Sequence, residues 1–285
     1  MSVRTAIDRR RSWAARFDLA ALIGGFAVAA LVVVAVAAPW LVPYDPYASN
    51  AAQALQPPSL AHWAGTDQIG RDVFSRLLIA ARLDLLIAAA AVFASFAIGT
   101  FAGALAGYFG GWFDRVTGRL VDVLLAFPLF VLAMALAAAL GTGVASLIVA
   151  TAVVNLPFYV RLARAEVNAR RGLGWVEAAR LCGRGPLGVV FGALVPNVLP
   201  VLMVQASTNL AWAILNAAGL SFVGLGVHPP TAEWGMMVAE GARYLASGHW
   251  WLVVCPGGAL AAAALAFTLL GDGLGDRLDL RGRDG

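Results

Sequence analysis

The sequence predicts an all-α, polytopic integral membrane protein, and three observations carry that expectation. Apolar residue types make up 61% of the 285 residues and charged types 13%, whereas a soluble globular chain runs at about 45–50% and about 25%. Mean hydropathy is +0.80. Charge-free apolar stretches, each long enough to cross a hydrocarbon core about 30 Å thick, recur along the chain. A disordered chain, a disulfide scaffold and an ordinary soluble enzyme are excluded by this composition.

The first apolar stretch runs from Leu19 to Tyr44 and places span one at 19–41, behind a cytoplasmic N-terminal segment 1–18. Arg9-Arg10-Arg11 before the run and Ala35-Val36-Ala37 near its end superficially fit a secretory leader. The run is longer than a leader's apolar core, so a retained helix is expected. An extracytoplasmic segment at 42–84 follows, rich in Pro, Ala and polar residues. Thr66 or Asp67 is a candidate helix cap there. From Val73 onward the apolar spacing predicts a short amphipathic helix on the outer surface, leading into span two. A capped helix start with no further role is the alternative. The core is expected to occupy 85–285.

Span two falls in the stretch Leu85 to Phe113 and carries Gly99, Gly103 and Gly107 at four-residue spacing, a pattern that lets helices pack closely. The stretch Val123 to Val160 is 38 residues, too long for one crossing at about 1.5 Å per residue. Two glycines in Leu140-Gly141-Thr142-Gly143 supply a turn, giving spans at 120–140 and 144–164. The stretch Gly185 to Ala232 is broken by Pro196, Pro200 and Pro229-Pro230 and holds a span at 199–221. The last span lies at 250–271. Six spans are therefore expected.

Orientation follows from arginine, the only basic type besides histidine. With the N-terminus inside, 16 of 20 arginines fall on inner segments, and Arg71, Arg76, Arg82 and Arg243 fall outside. An excess of Arg in cytoplasmic loops sets topology, so N-in, C-in is expected. The basic residues do not cluster on a soluble domain, and no nucleic-acid partner is expected.

The inner segment at about 165–198 contains Trp175-Val176-Glu177-Ala178-Ala179-Arg180-Leu181-Cys182, stopped by Gly183. A second amphipathic stretch from Leu187 to Val195 leads to Pro196. This reads as a helix–Gly–helix hairpin. Docking into a soluble partner and simple anchoring of the spans both fit the residues. Within the spans Asn155, Gln205, Asn209 and Asn216 are candidates for a translocation path, because polar groups in the bilayer are costly and face interiors or water-filled routes. Gln205, Asn209 and Asn216 share one face of span five. Interhelical hydrogen bonding is the alternative.

No catalytic constellation stands out. His62, His228 and His249 have no ligand partner at metal spacing, and Cys182 and Cys255 form no CxxC. Neither a Walker A motif nor GxSxG is present. Ser95, Ser207 and Ser221 have no convincing base or acid partner for an intramembrane hydrolase, and Asp122 and Asp272 read as interfacial residues at span ends.

The hairpin resembles the signature of ABC-importer permeases: Glu-Ala-Ala, three residues, Gly, nine residues, Ile, one residue, Leu-Pro. Glu177-Ala178-Ala179, Gly183 and Pro196 keep the pattern, while Ala193 and Val195 depart from its Ile and Leu. Gly65-Thr66-Asp67, Gly70-Arg71-Asp72 and Ser75-Arg76 resemble the outer segment of dipeptide/oligopeptide/nickel permeases, in the form found in the C-type subunit. Leu220 to Val227 with Glu233-Trp234-Gly235, and Phe267 to Leu274 with Asp276 and Asp279, resemble two further motifs of that family. The likeness covers about 43–280. It implies a type I ABC-importer permease core in a bacterial plasma (inner) membrane, paired with a homologous second permease. Two cytoplasmic ATPase subunits would bind ATP and Mg, with no cofactor on this chain, and an extracytoplasmic binding protein would deliver dipeptides or oligopeptides. Nickel or a nickel chelate is the alternative cargo. Glu177, Ala178, Ala179 and Gly183 would form the ATPase-coupling helix. A membrane enzyme and a passive scaffold are the remaining alternatives.

Overall fold

The chain is a bundle of long helices whose two ends are closed differently: charged hairpins at one, a folded cap at the other. The computed structural model describes residues 3–283, with side chains from Leu19 to Asp276. The expectations for segment 1–18, for the arginines at 4, 9, 10, 11, 16, 277, 281 and 283, and for Asp279 rest on side chains outside that range.

Helix α1 spans Val3–Leu41 and α2 spans Val73–Phe109; α3 (Gly111–Leu125) and α4 (Leu129–Leu140) follow, then α5 (Val144–Arg170). Two short helices, α6 (Gly174–Leu181) and α7 (Pro186–Val189), precede α8 (Val195–Phe222), α9 (Trp234–Ala242) and α10 (Trp251–Arg283). Helix α2 packs along α5, and α10 is flanked by α1 and α8. Much of the apolar surface of the long helices stays uncovered, including Phe26, Trp40 and Phe93, as a lipid-facing bundle requires.

Among the described residues five helices are long and apolar enough to cross a membrane, and the bent pair of α3 and α4 passes the same test only when taken together, giving six where it counts as one span. That pair corrects the expectation of a straight span at 120–140. Helices α3 and α4 meet at 91°. Proline lacks the N–H that continues a helix and pushes the residue before it out of the helical region. Pro128 therefore ends α3 near Ala126 and restarts the chain as α4, whose 12 residues reach only about 18 Å. The Gly141–Gly143 turn forms as expected, with positive φ at both glycines, and sets α4 against α5.

The expected outer surface helix is likewise corrected. Val73–Asp84 forms the first three turns of α2 and buries Val73, Ser75, Arg76, Ala80, Ala81 and Asp84. The 37 residues of α2 extend about 55 Å, so the helix outruns the hydrocarbon core. Its cap is Asp72, which accepts the Ser75 N–H at 2.7 Å, rather than Thr66 or Asp67. The glycine stripe on α2 meets α5 directly. A Cβ at Gly99, Gly103 or Gly107 would overlap the side chain of Tyr159 or the backbone carbonyls of Val160 and Arg164.

Candidate functional site

The inner hairpin is built from local chemistry. Helix α6 ends in a Schellman motif. Gly183 at φ +82° donates to the Arg180 carbonyl at 2.9 Å, and Arg184 donates to the Ala179 carbonyl at 3.3 Å, so a left-handed residue satisfies the last carbonyls. Pro186 opens α7 at a position where its missing N–H costs nothing. A π turn at Val190–Leu194 joins α7 to α8, giving room for the ring of Pro196, which clashes with the carbonyl four residues back in a regular helix; Pro200 lies within α8.

The hairpin is anchored on one side and open on the other. Val176, Val189, Val190 and Leu194 are fully buried and pack with Ala104 of α2, Ala163 and Val167 of α5, and Val198 and Leu202 of α8. Burying such a side chain stabilises by about 1.5–3 kcal/mol. The Arg171 guanidinium donates to the carbonyls of Gly107 and Tyr108 at 3.3 and 3.1 Å, capping the C-terminus of α2, where positive charge is favoured. Arg180 donates to the Tyr108 hydroxyl at 3.2 Å and lies over its ring. Glu177, Ala178 and Gly183 are exposed and Ala179 is half-buried. Beside them Leu181 is 89% exposed, with Trp175 and Leu187 also uncovered.

The polar residues of the spans come together along the α5–α8 contact. Asn216 donates to the Thr151 hydroxyl at 3.2 Å, and Gln205 donates to the Asn209 carbonyl oxygen at 2.9 Å. Asn155, Asn209 and Asn216 are buried and Gln205 is partly open. The Asn155 amide is wholly buried and has no partner among the described residues. An unpaired buried polar group costs about 1–3 kcal/mol.

A third cluster closes the outer end. Asp67 accepts the backbone N–H of Ile69 at 3.0 Å and of Arg71 at 2.9 Å, and pairs with the Arg71 guanidinium. Arg71 also reaches Glu240 of α9 at 3.5 Å. Arg76, 1% exposed, donates to the carbonyls of Pro46 and Pro230. Asp72 pairs with His62 at 2.9 Å. Deeper in, Glu233 caps α9 by accepting the N–H groups of Gly235 and Met236 at 3.0 and 2.7 Å, and its carboxyl is in hydrogen-bonding contact with that of Asp84. Both are buried, and burial pushes the Glu233 carboxyl above its ordinary value. Sequence reasoning named Glu233-Trp234-Gly235 only as part of a motif that resembles the family's, and read neither the helix α9 nor the pairing of Glu233 with Asp84. Glutamate is not among the favoured caps, and Asp84 and Glu233 stand 149 positions apart.

These features define a class: a helical, multi-pass membrane protein with a folded outer cap and a rigid inner hairpin whose outward rim is uncovered. Residues 99–284 match the family described as "Binding-protein-dependent transport system inner membrane component", and residues 18–58 match "N-terminal TM domain of oligopeptide transport permease C". The chain belongs to this family of transporter permeases and is a multi-pass bacterial inner-membrane protein. It is 42% identical over 249 residues to the probable D,D-dipeptide transport system permease protein DdpC of Escherichia coli (strain K12), covering 87% of this chain and 83% of that one. It is 42% identical over 264 residues to the di/tripeptide transport system permease protein DppC of Pseudomonas aeruginosa (strain UCBPP-PA14), covering 90% and 87%. Against the glutathione transport system permease protein GsiD of Escherichia coli (strain UTI89 / UPEC), identity is 41% over 261 residues, covering 91% and 86%.

Proposed function

We propose that this permease forms half of the translocation path of an ATP-driven importer of short peptides. A homologous permease supplies the other half, two cytoplasmic ATPase subunits supply the drive with their own ATP and Mg, and an extracytoplasmic binding protein delivers cargo. The observation that carries the reading is the hairpin: Val176 and its neighbours fix it against α2, α5 and α8, while Glu177 and the exposed Leu181 face away from the bundle. A loop that merely anchored spans would have no cause to combine a rigid base with an uncovered apolar rim. Glu177, Ala178, Ala179 and Gly183 are its coupling surface, and the hairpin end, where Arg161, Arg164, Arg171 and Arg180 gather, faces the cytoplasm. The relatives' names favour peptide cargo over a nickel chelate.

Gln205, the partly open member of the α5–α8 seam, faces the path in this reading. Asn155, Asn209 and Asn216 provide the polar contact behind it.

The test is uptake by the complete transporter in proteoliposomes. Glu177→Lys is expected to leave the complex inserted while abolishing ATP-dependent peptide uptake. Normal uptake in that variant would sink the coupling assignment. Uptake of a nickel chelate, with no peptide transported, would replace the cargo.

A further inference from the structure

Helix α3 stands outside both the hairpin and the seam. Its 91° break from α4, together with the packing of α4 along the spanning helix α5, turns it across the bundle and into the membrane plane. At about 100° per residue its side chains divide into three faces. Thr117 and Val121 are buried against the bundle. Asp114 and Asp122 point to a cleft of about 570 Å³ beside α5, where Arg164 donates to Asp114 at 2.7 Å and Arg161 to Asp122 at 3.0 Å. The third face is apolar and uncovered: Trp112 is 71% exposed, Leu120 63% and Val123 59%.

Arg115 and Arg119, one helical turn apart, border that apolar face. Both are exposed. Arg115 donates only to the Gly111 carbonyl of its own helix, at 3.3 Å, and Arg119 has no ion pair among the described residues. The acidic residues of α3, Asp114 and Asp122, are engaged by arginines of α5. Trp112, Arg115, Val116, Arg119, Leu120 and Val123 line a shallow groove of about 380 Å³ with an apolar floor and two guanidinium groups on its rim.

We infer that α3 is an in-plane interfacial helix whose Arg115 and Arg119 hold the headgroup of an anionic phospholipid. The chemistry is complementary throughout. An apolar face flanked by basic residues lies at the headgroup–acyl boundary, and tryptophan settles at that level. Guanidinium matches phosphate as a planar, bidentate donor. The acyl chain lies on Leu120 and Val123. The proposal goes beyond the transport reading and stands whichever cargo is carried.

The experiment places the assembled transporter in phosphatidylcholine vesicles containing increasing fractions of brominated phosphatidylglycerol. The Trp112 signal is the fluorescence difference between wild type and Trp112→Phe. Quenching is expected at low fractions of the brominated anionic lipid. In an Arg115→Gln, Arg119→Gln variant of unchanged elution profile, half-quenching should need about 25-fold more of it, since each basic residue near the surface contributes about fivefold. Excess inorganic phosphate should not compete; competition would show a free-anion site and overturn the lipid assignment. Equal quenching by brominated phosphatidylcholine, unaltered by the double substitution, would overturn the headgroup site. Absence of quenching by either lipid, with cross-linking of Leu120→Cys to the second permease, would overturn the interfacial placement.

Discussion

The carboxylate of Asp84 on α2 accepts the backbone N–H of Trp234, the first residue of α9, at 3.1 Å. The same carboxyl touches Glu233, which caps α9 with both of its oxygens. One aspartate thus fixes the start of a helix 150 residues further along the chain. Asp84→Ala leaves the Trp234 N–H and the Glu233 carboxyl without that partner, at a cost of about 1–3 kcal/mol. Asp84→Asn keeps an acceptor for Trp234 and adds a permanent donor toward Glu233, and is expected to stay near wild-type stability. Thermal unfolding of the two variants in detergent checks the order; equal loss in both would show that volume, not hydrogen bonding, matters at this position.

The same pair gives a pH dependence. Two carboxyls in hydrogen-bonding contact need a proton between them, and burial raises the Glu233 pKa above its ordinary 4.5. Where the folded state binds more protons than the unfolded one, stability falls as pH rises. The contribution of Glu233 is complete below the ordinary carboxylate range and is lost as pH climbs through the raised folded value. Among charged groups on the packed elements, Arg76 is engaged by carbonyls, Arg82 is exposed and Glu240 faces Arg71, so no cation offsets the effect. The unfolding temperature should decline from mildly acidic to alkaline buffer in wild type and decline less in Asp84→Asn. A flat wild-type profile would remove the shared proton.

Packing between α2 and α5 makes a prediction of its own. A side chain at Gly103 would run into the Val160 carbonyl and the Ala163 methyl group. Backbone cannot withdraw as a flexible side chain does, and overpacking of this kind costs about 1–3 kcal/mol. Gly103→Ala is expected to lower the unfolding temperature, whereas Gly258→Ala on α10, with open space around it, should have little effect. Comparable losses at both positions would mean that close approach is not what Gly103 provides.

The Gly99–Gly103–Gly107 stripe, the Gly141–Gly143 turn and the Gly183 stop were legible in the sequence because each is decided by a few neighbouring residues. The break between α3 and α4 was not read. A charge-free run of 38 residues looks like two crossings when hydropathy is averaged, and Pro128 is one residue within it. Pro128 together with the amphipathic pattern of 111–125 was the available signal. Helix α9 and the Asp84–Glu233 contact depend on tertiary pairing between distant positions, for which one sequence carries no pattern. The candidate path residues were found as polar positions, but their gathering between α5 and α8, rather than on an open face, required the packing.

Gly183 separates folding from docking within the hairpin. Its φ of +82° lies where side chains other than glycine are strained, and a Cβ there would meet nothing within 4 Å of this chain. In the isolated permease every substitution therefore suffers the backbone penalty alone, about 1–2 kcal/mol, with Asn milder because it tolerates the left-handed region. Gly183→Ala and Gly183→Leu should unfold at similar temperatures. In the assembled transporter a surface packed against the hairpin would reject leucine but accept alanine. Peptide-stimulated ATP hydrolysis should then be reduced modestly by Ala, less by Asn, and lost with Leu. Equal ATPase coupling in the Ala and Leu variants would leave Gly183 as a turn residue and move the docking surface toward Glu177 and Leu181.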